Sequence, residues 1–105
     1  MKPLTVINCL RIKPGKMDEF IDAQRRFAAS LPDYGLIGGR MYRSLDGESA
    51  VLVSVFRSKS AQEEIQQRPA FKEHLQTLRA FVESSSPSLY EEAYTTGDFS
   101  GVESQ

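Results

Sequence analysis

A chain of 105 residues, 40% hydrophobic and 26% charged, has the size and composition of one ordinary globular domain with a single core, and is neither disordered nor collagen-like. Thirteen basic against fourteen acidic side chains leave a net charge of -1, so the charge balance points to neither nucleic acid nor an anionic membrane as partner. The single cysteine, Cys9, excludes an internal disulfide and fits a reducing compartment. The expected location is cytoplasmic, because the first residues lack the apolar stretch of a signal peptide and no run reaches the roughly 18 apolar residues of a membrane span.

"PLTVINCLRIK" alternates aliphatic and β-branched residues, and Pro14-Gly15 then turns the chain, which predicts a strand with Leu4, Val6, Asn8, Leu10 and Ile12 on one face. From Lys16 to Leu31 the period becomes helical, with Met17, Phe20, Ile21, Gln24, Phe27, Ala28 and Leu31 along one stripe. Asp18 and Glu19 favour the helix start and Pro32 closes it.

Two extended runs follow, joined by Asp46-Gly47, a pair suited to a type I′ hairpin turn. Arg40 and Tyr42 share a face with Gly38, opposite Ile37, Gly39 and Met41. Gly38-Gly39 lies inside a strand, is no phosphate loop, and suits the close approach of another backbone. The second run, Ala50 to Phe56, is apolar on both faces, Leu52 and Phe56 on one and Val51, Val53 and Val55 on the other.

Ser60 and Glu63 have capping-box spacing for a short helix that Pro69 breaks, and a further helix is expected from about Ala70 to Glu83. "SSSP" should end it, and "SLYEEAYTT" reads as the last strand. The domain is expected to span 1–97, with 98–105 a polar tail.

The order β-α-β-β-α-α-β is that of an α+β ferredoxin-like sandwich, a four-stranded antiparallel sheet with helices on one side. Helices cover one face only, yet Ile7, Cys9, Val51, Val53 and Val55 make the other apolar, so a homodimer is expected. RNA recognition on a related topology uses aromatic rings where this third strand carries valines, and is rejected.

His74, the only histidine, falls three residues after Phe71 and four before Leu78, which turns it toward the sheet or its margin. Asn8 aims at the same apolar space from the opposite wall. Either the two polar groups are satisfied by each other, by backbone or by water, or they meet a ligand in a small pocket.

"RIKPGKMDEF", "LIGGRMYRSLDG", "VSVFRSKSAQ" and "RPAFKEHL", in this order and spacing, resemble the antibiotic biosynthesis monooxygenase family of the dimeric α/β-barrel superfamily, over residues 4–96. The resemblance implies a dimer joined through sheet faces. Some members oxygenate anthrones, phenols or quinols without metal or flavin. Haem-degrading members use a first-strand asparagine, a third-strand tryptophan and a histidine as axial iron ligand, positions that match Asn8, Phe56 and His74, with phenylalanine in place of tryptophan. In the polyketide-oxygenating branch the third-strand asparagine matches Leu52, the tryptophan again Phe56, and the helix arginine Leu75 or Gln76.

The expected function is a cofactor-independent monooxygenase acting with molecular oxygen on a small electron-rich aromatic, a polyketide anthrone, phenol or quinol. His74 serves as base and Asn8 as donor to the substrate oxygen. Phe20, Phe27, Phe56 and Phe71 supply aromatic walls with Leu52, and Arg40 and Tyr42 lie in the pocket or at its rim. The alternatives are a haem-binding or haem-degrading oxygenase with His74 on iron, and a non-catalytic small-molecule binding dimer.

Overall fold

The computed structural model describes residues 2–29 and 31–98. In chain order it forms β1 (Leu4–Ile12), α1 (Met17–Ala28), a 3-10 turn (Leu31–Tyr34), β2 (Leu36–Arg43), β3 (Ser49–Phe56), α2 (Lys59–Gln67), α3 (Pro69–Leu78) and β4 (Val82–Tyr90). The strands lie in the order β2-β3-β1-β4 and every pairing is antiparallel. This is the expected ferredoxin-like sandwich. Among the described residues no helix is long and apolar enough to cross a membrane.

The alternation read from β1 sends Leu10 and Ile12 into a core with Met17, Phe20 and Ala50, against which Met41, Leu52, Leu78 and Phe81 pack. A second cluster joins Leu31, Phe56 and Ile65, with Val6, Phe27, Leu36 and Phe71 around it. All three helices therefore lie on the face that carries Val6, Leu10, Leu52 and Phe56. Ile7, Val51, Val53 and Val55 stand half-buried on the other face, and Cys9 is exposed there. The pairs Ile7↔Val53 and Cys9↔Val51 make this a continuous apolar stripe across β1 and β3.

Several local expectations are corrected. α1 stops at Ala28, ahead of Pro32, and the chain re-forms as a 3-10 turn from Leu31. α3 ends at Leu78, and "SSSP" lies inside β4 instead of ending a helix. The serines have little strand propensity, but β1 offers them a free edge and they pair with it from Thr5↔Tyr90 to Leu10↔Ser85. Tertiary pairing overrides propensity here, and Pro87 is tolerated because β4 is itself an edge strand. Residues 91–96, expected to continue the last strand, have no regular structure. The polar tail expected at 98–105 lies, from 99 onward, outside the described residues.

The cap of α2 is Ser58, not Ser60. Ser58 is extended (φ -162°, ψ 167°) and its Oγ accepts from the Ala61 N–H at 3.2 Å. The hairpin is no type I′ turn, since only Gly47 (φ 76°) has positive φ and Asp46 does not. A longer loop is closed by Ser44 N–H donating to Ser49 O at 2.8 Å. The Asp46 carboxylate accepts from Ser44 Oγ (2.6 Å) and Glu48 N–H (2.9 Å), which fixes the loop locally and lowers the Asp46 pKa. The expected close approach holds at Gly39, where a Cβ would stand 3.2 Å from Val53 O.

Candidate functional site

The buried stripe of α3 runs through Phe71, His74 and Leu78, and it turns out more polar than its aliphatic residues suggest. His74 is 8% exposed, whereas Leu75 beside it is 47% exposed. The imidazole lies between α3 and α1, stacked on Phe27 with ring centroids 4.0 Å apart and planes 6° from parallel. Phe27 in turn meets Phe71 at 6.2 Å, tilted by 57°. His74 Nε2–H donates to Gln24 Oε1 at 2.6 Å. Burial, which disfavours the charged ring, lowers the His74 pKa below its usual 6.5.

Gln24 belongs to the apolar stripe of α1 by spacing and is 7% exposed, so its amide needs partners. Its oxygen has one in His74. Gln24 also lines a cleft of about 900 Å³, together with Ile21, Arg25 and Ala28 of α1, β2 from Leu36 to Arg43, Leu52 and Ser54 of β3, and Leu31 and Leu45. Among the described residues no fully buried side-chain nitrogen or oxygen lacks a hydrogen bond. The walls are mostly apolar, and the charged residues among them, Arg25, Arg40 and Arg43, are all cationic. Arg43 has Asp18 at 3.7 Å, on the exposed surface. Gly38 and Gly39 leave the β2 wall without side chains, so the cleft reaches the sheet edge.

The cleft collects three of the residues expected from sequence: Leu52, Arg40 and Tyr42. Arg40 and Tyr42 are in register with Val53 and Val51, so their side chains start from the open sheet face and the cleft meets them around the edge of β2. His74 is not part of the wall and touches it through Gln24. Asn8 sits beside Leu52 in the sheet, but its Oδ1 accepts from Ser86 N–H at 3.1 Å, binding β1 to β4. Asn8 and His74 do not partner each other. Phe20 and Phe56 are buried in the two core clusters, and Phe27 and Phe71 pack beside His74. None of the four phenylalanines lines the cleft.

The residue missed from sequence is Gln24. A glutamine on an otherwise apolar helical stripe was the available signal.

An axial haem ligand must offer a ring nitrogen to a cavity wide enough for the macrocycle. His74 has Nε2 committed to Gln24 and one ring face covered by Phe27, and it does not line the cleft, so these residues do not fit haem. Among the described residues there is also no group of three or more His, Cys, Asp or Glu side chains placed to hold a metal ion.

Residues 3–77 match the family model described as antibiotic biosynthesis monooxygenase. Among solved structures, SnoaB, a cofactor-independent oxygenase from Streptomyces nogalater, superposes with a TM-score of 0.83 at 24% identity, covering 93% of this chain and 100% of its own. Protein SO0527 from Shewanella oneidensis gives a TM-score of 0.78 at 20% identity, covering 87% of this chain and 91% of its own. Rv0793 from Mycobacterium tuberculosis gives 0.77 at 16% identity, covering 91% and 100%. No curated protein sequence matches the chain. At these identities the structural likeness speaks for the fold.

Proposed function

The chain belongs to the antibiotic biosynthesis monooxygenase family, and from that premise we propose that the α1–β2 cleft oxygenates an electron-rich aromatic, an anthrone, phenol or quinol, with molecular oxygen and no metal or flavin. The observation that carries the proposal is Gln24, a buried amide held from behind by His74 in the wall of an otherwise apolar cleft with room for a fused-ring molecule. SnoaB, of the same fold, is a cofactor-independent oxygenase.

Triplet oxygen reacts slowly with closed-shell molecules, but an aromatic oxyanion or anthrone carbanion can give it one electron. The resulting radical pair joins through a carbon–oxygen bond to a peroxide anion. Protonation and loss of water then turn the anthrone methylene into a carbonyl, so substrate and O2 give ketone and water with no outside reductant.

The protein's part is to favour the ionised substrate and hold it flat in a poorly hydrated site. Arg25, Arg40 and Arg43 line the cleft with Gln24, and among the described residues no carboxylate does, so a substrate anion is stabilised there and its proton passes to water at the open mouth. His74 then acts through Gln24 as a positioning residue, and Asn8 anchors β4. The working unit is proposed to be a homodimer formed over Ile7, Val51, Val53 and Val55, an apolar face that no element among the described residues covers.

Oxygen uptake with 1,8-dihydroxyanthrone, followed at an oxygen electrode, tests the proposal. Uptake above the uncatalysed rate should vanish in Leu52→Trp, which fills the cleft. Binding without uptake would turn the protein into a carrier, and no response to anthrones or quinols would end the oxygenase assignment.

A further inference from the structure

We infer that Gln24 selects the ligand of the cleft by requiring a hydrogen-bond acceptor, a carbonyl, phenolate or quinolate oxygen, at the edge of a planar aromatic, and that His74 imposes this requirement by holding the glutamine oxygen. The inference rests on the cleft being the substrate site, as proposed above.

A free glutamine side chain presents either its oxygen or its amino group to a ligand, because the two ends exchange by a rotation of the terminal torsion. Here the oxygen end is already engaged. The imidazole is fixed flat on Phe27 at 4.0 Å, and its Nε2 lies 2.6 Å from Gln24 Oε1. An Nε2 that carries the proton, as its contact with Oε1 requires, donates at that position and holds the glutamine oxygen toward α3, whereas an Nδ1–H tautomer would accept there instead. The amino group, two N–H donors and no acceptor, is left for the cleft.

Gln24 is 7% exposed, so a ligand that fills the cleft removes what water the amino group has. A ligand with an oxygen at that place restores the bond. One without it strands a buried donor, which weakens binding on the order of tenfold. Ile21, Ala28 and Leu52, which line the same cleft, contribute to both ligands alike, since they meet only the ring system. The discrimination therefore belongs to one side chain and to the histidine behind it.

Equilibrium dialysis of the full chain, in the dark, against anthraquinone-2-sulfonate and anthracene-2-sulfonate reads this directly. The two probes share ring count and charge and differ in two carbonyl oxygens. The wild-type protein is expected to bind the quinone about tenfold more tightly. Gln24→Leu should bring the ratio to about one while anthracene-2-sulfonate binds as well or better, and Gln24→Met serves the same end should leucine disturb α1. His74→Phe keeps a ring on Phe27 but loses the donor, and should shrink the ratio severalfold without abolishing binding. A merely structural histidine would weaken both probes equally.

A ratio near one in the wild type, or one that persists in Gln24→Leu, overturns the inference and leaves the oxygenase proposal standing if anthrone-dependent uptake is retained. Failure of both probes to bind the wild-type protein removes the cleft as a ligand site, and both proposals fall together.

Discussion

His74 and Gln24, fifty residues apart in the chain, meet at 2.6 Å between α3 and α1, and the imidazole that makes this bond is buried enough to resist protonation. Its pKa lies below 6.5 because burial penalises the charged ring. The unfolded chain therefore takes up this proton at higher pH than the folded one. The histidine's contribution to stability is complete above about pH 6.5 and is lost as pH falls from there through the lowered folded value. Asp46, whose folded pKa is also lowered, loses its contribution only below its usual 3.8, outside this window. Urea unfolding at pH 7.5 and 5.5 should show a drop in stability for wild type that is largely absent in His74→Phe.

Asn8 offers a different outcome from the one its side-chain type suggests. Its oxygen is the acceptor for Ser86 N–H, in a strand whose other neighbour is solvent. Asn8→Ala should cost about 1 kcal/mol, raise the hydrogen-exchange rate of the Ser86 amide, and leave oxygen uptake unchanged. Asn8→Asp keeps the acceptor and should restore protection. Loss of uptake in Asn8→Ala with an intact fold would return this residue to the active site.

The fold was legible because its strongest signals are periodic: alternation in β1, the stripe of α1, the doubly apolar β3. What escaped was set by partners distant in sequence. β4 exists because β1 presents a free edge to a serine run, which no local propensity announces. The cap at Ser58 instead of Ser60 follows from where β3 releases the chain. The site was legible in part. Helical spacing turned His74 inward, but spacing cannot say which residue of another helix it will meet, so its partner stayed open among Asn8, backbone, water and a ligand, and is found on α1. The four phenylalanines show the complementary limit, since sequence identifies large apolar groups without telling a core from a cavity wall.

The open sheet face gives a prediction about assembly. Val53 pairs with Ile7 across β1–β3 and with Arg40 across β2–β3, at the centre of the apolar stripe. A lysine there has no core contact to disrupt on the helix side but places a charge in any interface over that face. Wild type should sediment at about twice the 11.8 kDa chain mass, and Val53→Lys should sediment as the single chain. A wild-type monomer, or a dimer indifferent to Val53→Lys, would put the interface elsewhere.

Phe20 separates packing from binding most sharply. It is the one large side chain among the described residues with no exposure at all, enclosed by Leu10, Ile12, Met17 and Ala50, whereas Leu52 borders both this cluster and the cleft. Truncation to alanine loses the transfer energy of the ring and leaves a cavity that the surrounding side chains only partly close, about 3–5 kcal/mol. That is a large share of the roughly 5–15 kcal/mol by which a domain is stable, so Phe20→Ala should be mostly unfolded at moderate urea. Phe20→Leu retains most of the volume and should cost less than half as much. In Phe20→Leu the dissociation constant for anthracene-2-sulfonate should equal that of wild type, because the ring contributes to the core and contacts no ligand. A change in that constant without a change in stability would move Phe20 from the core to the cleft wall.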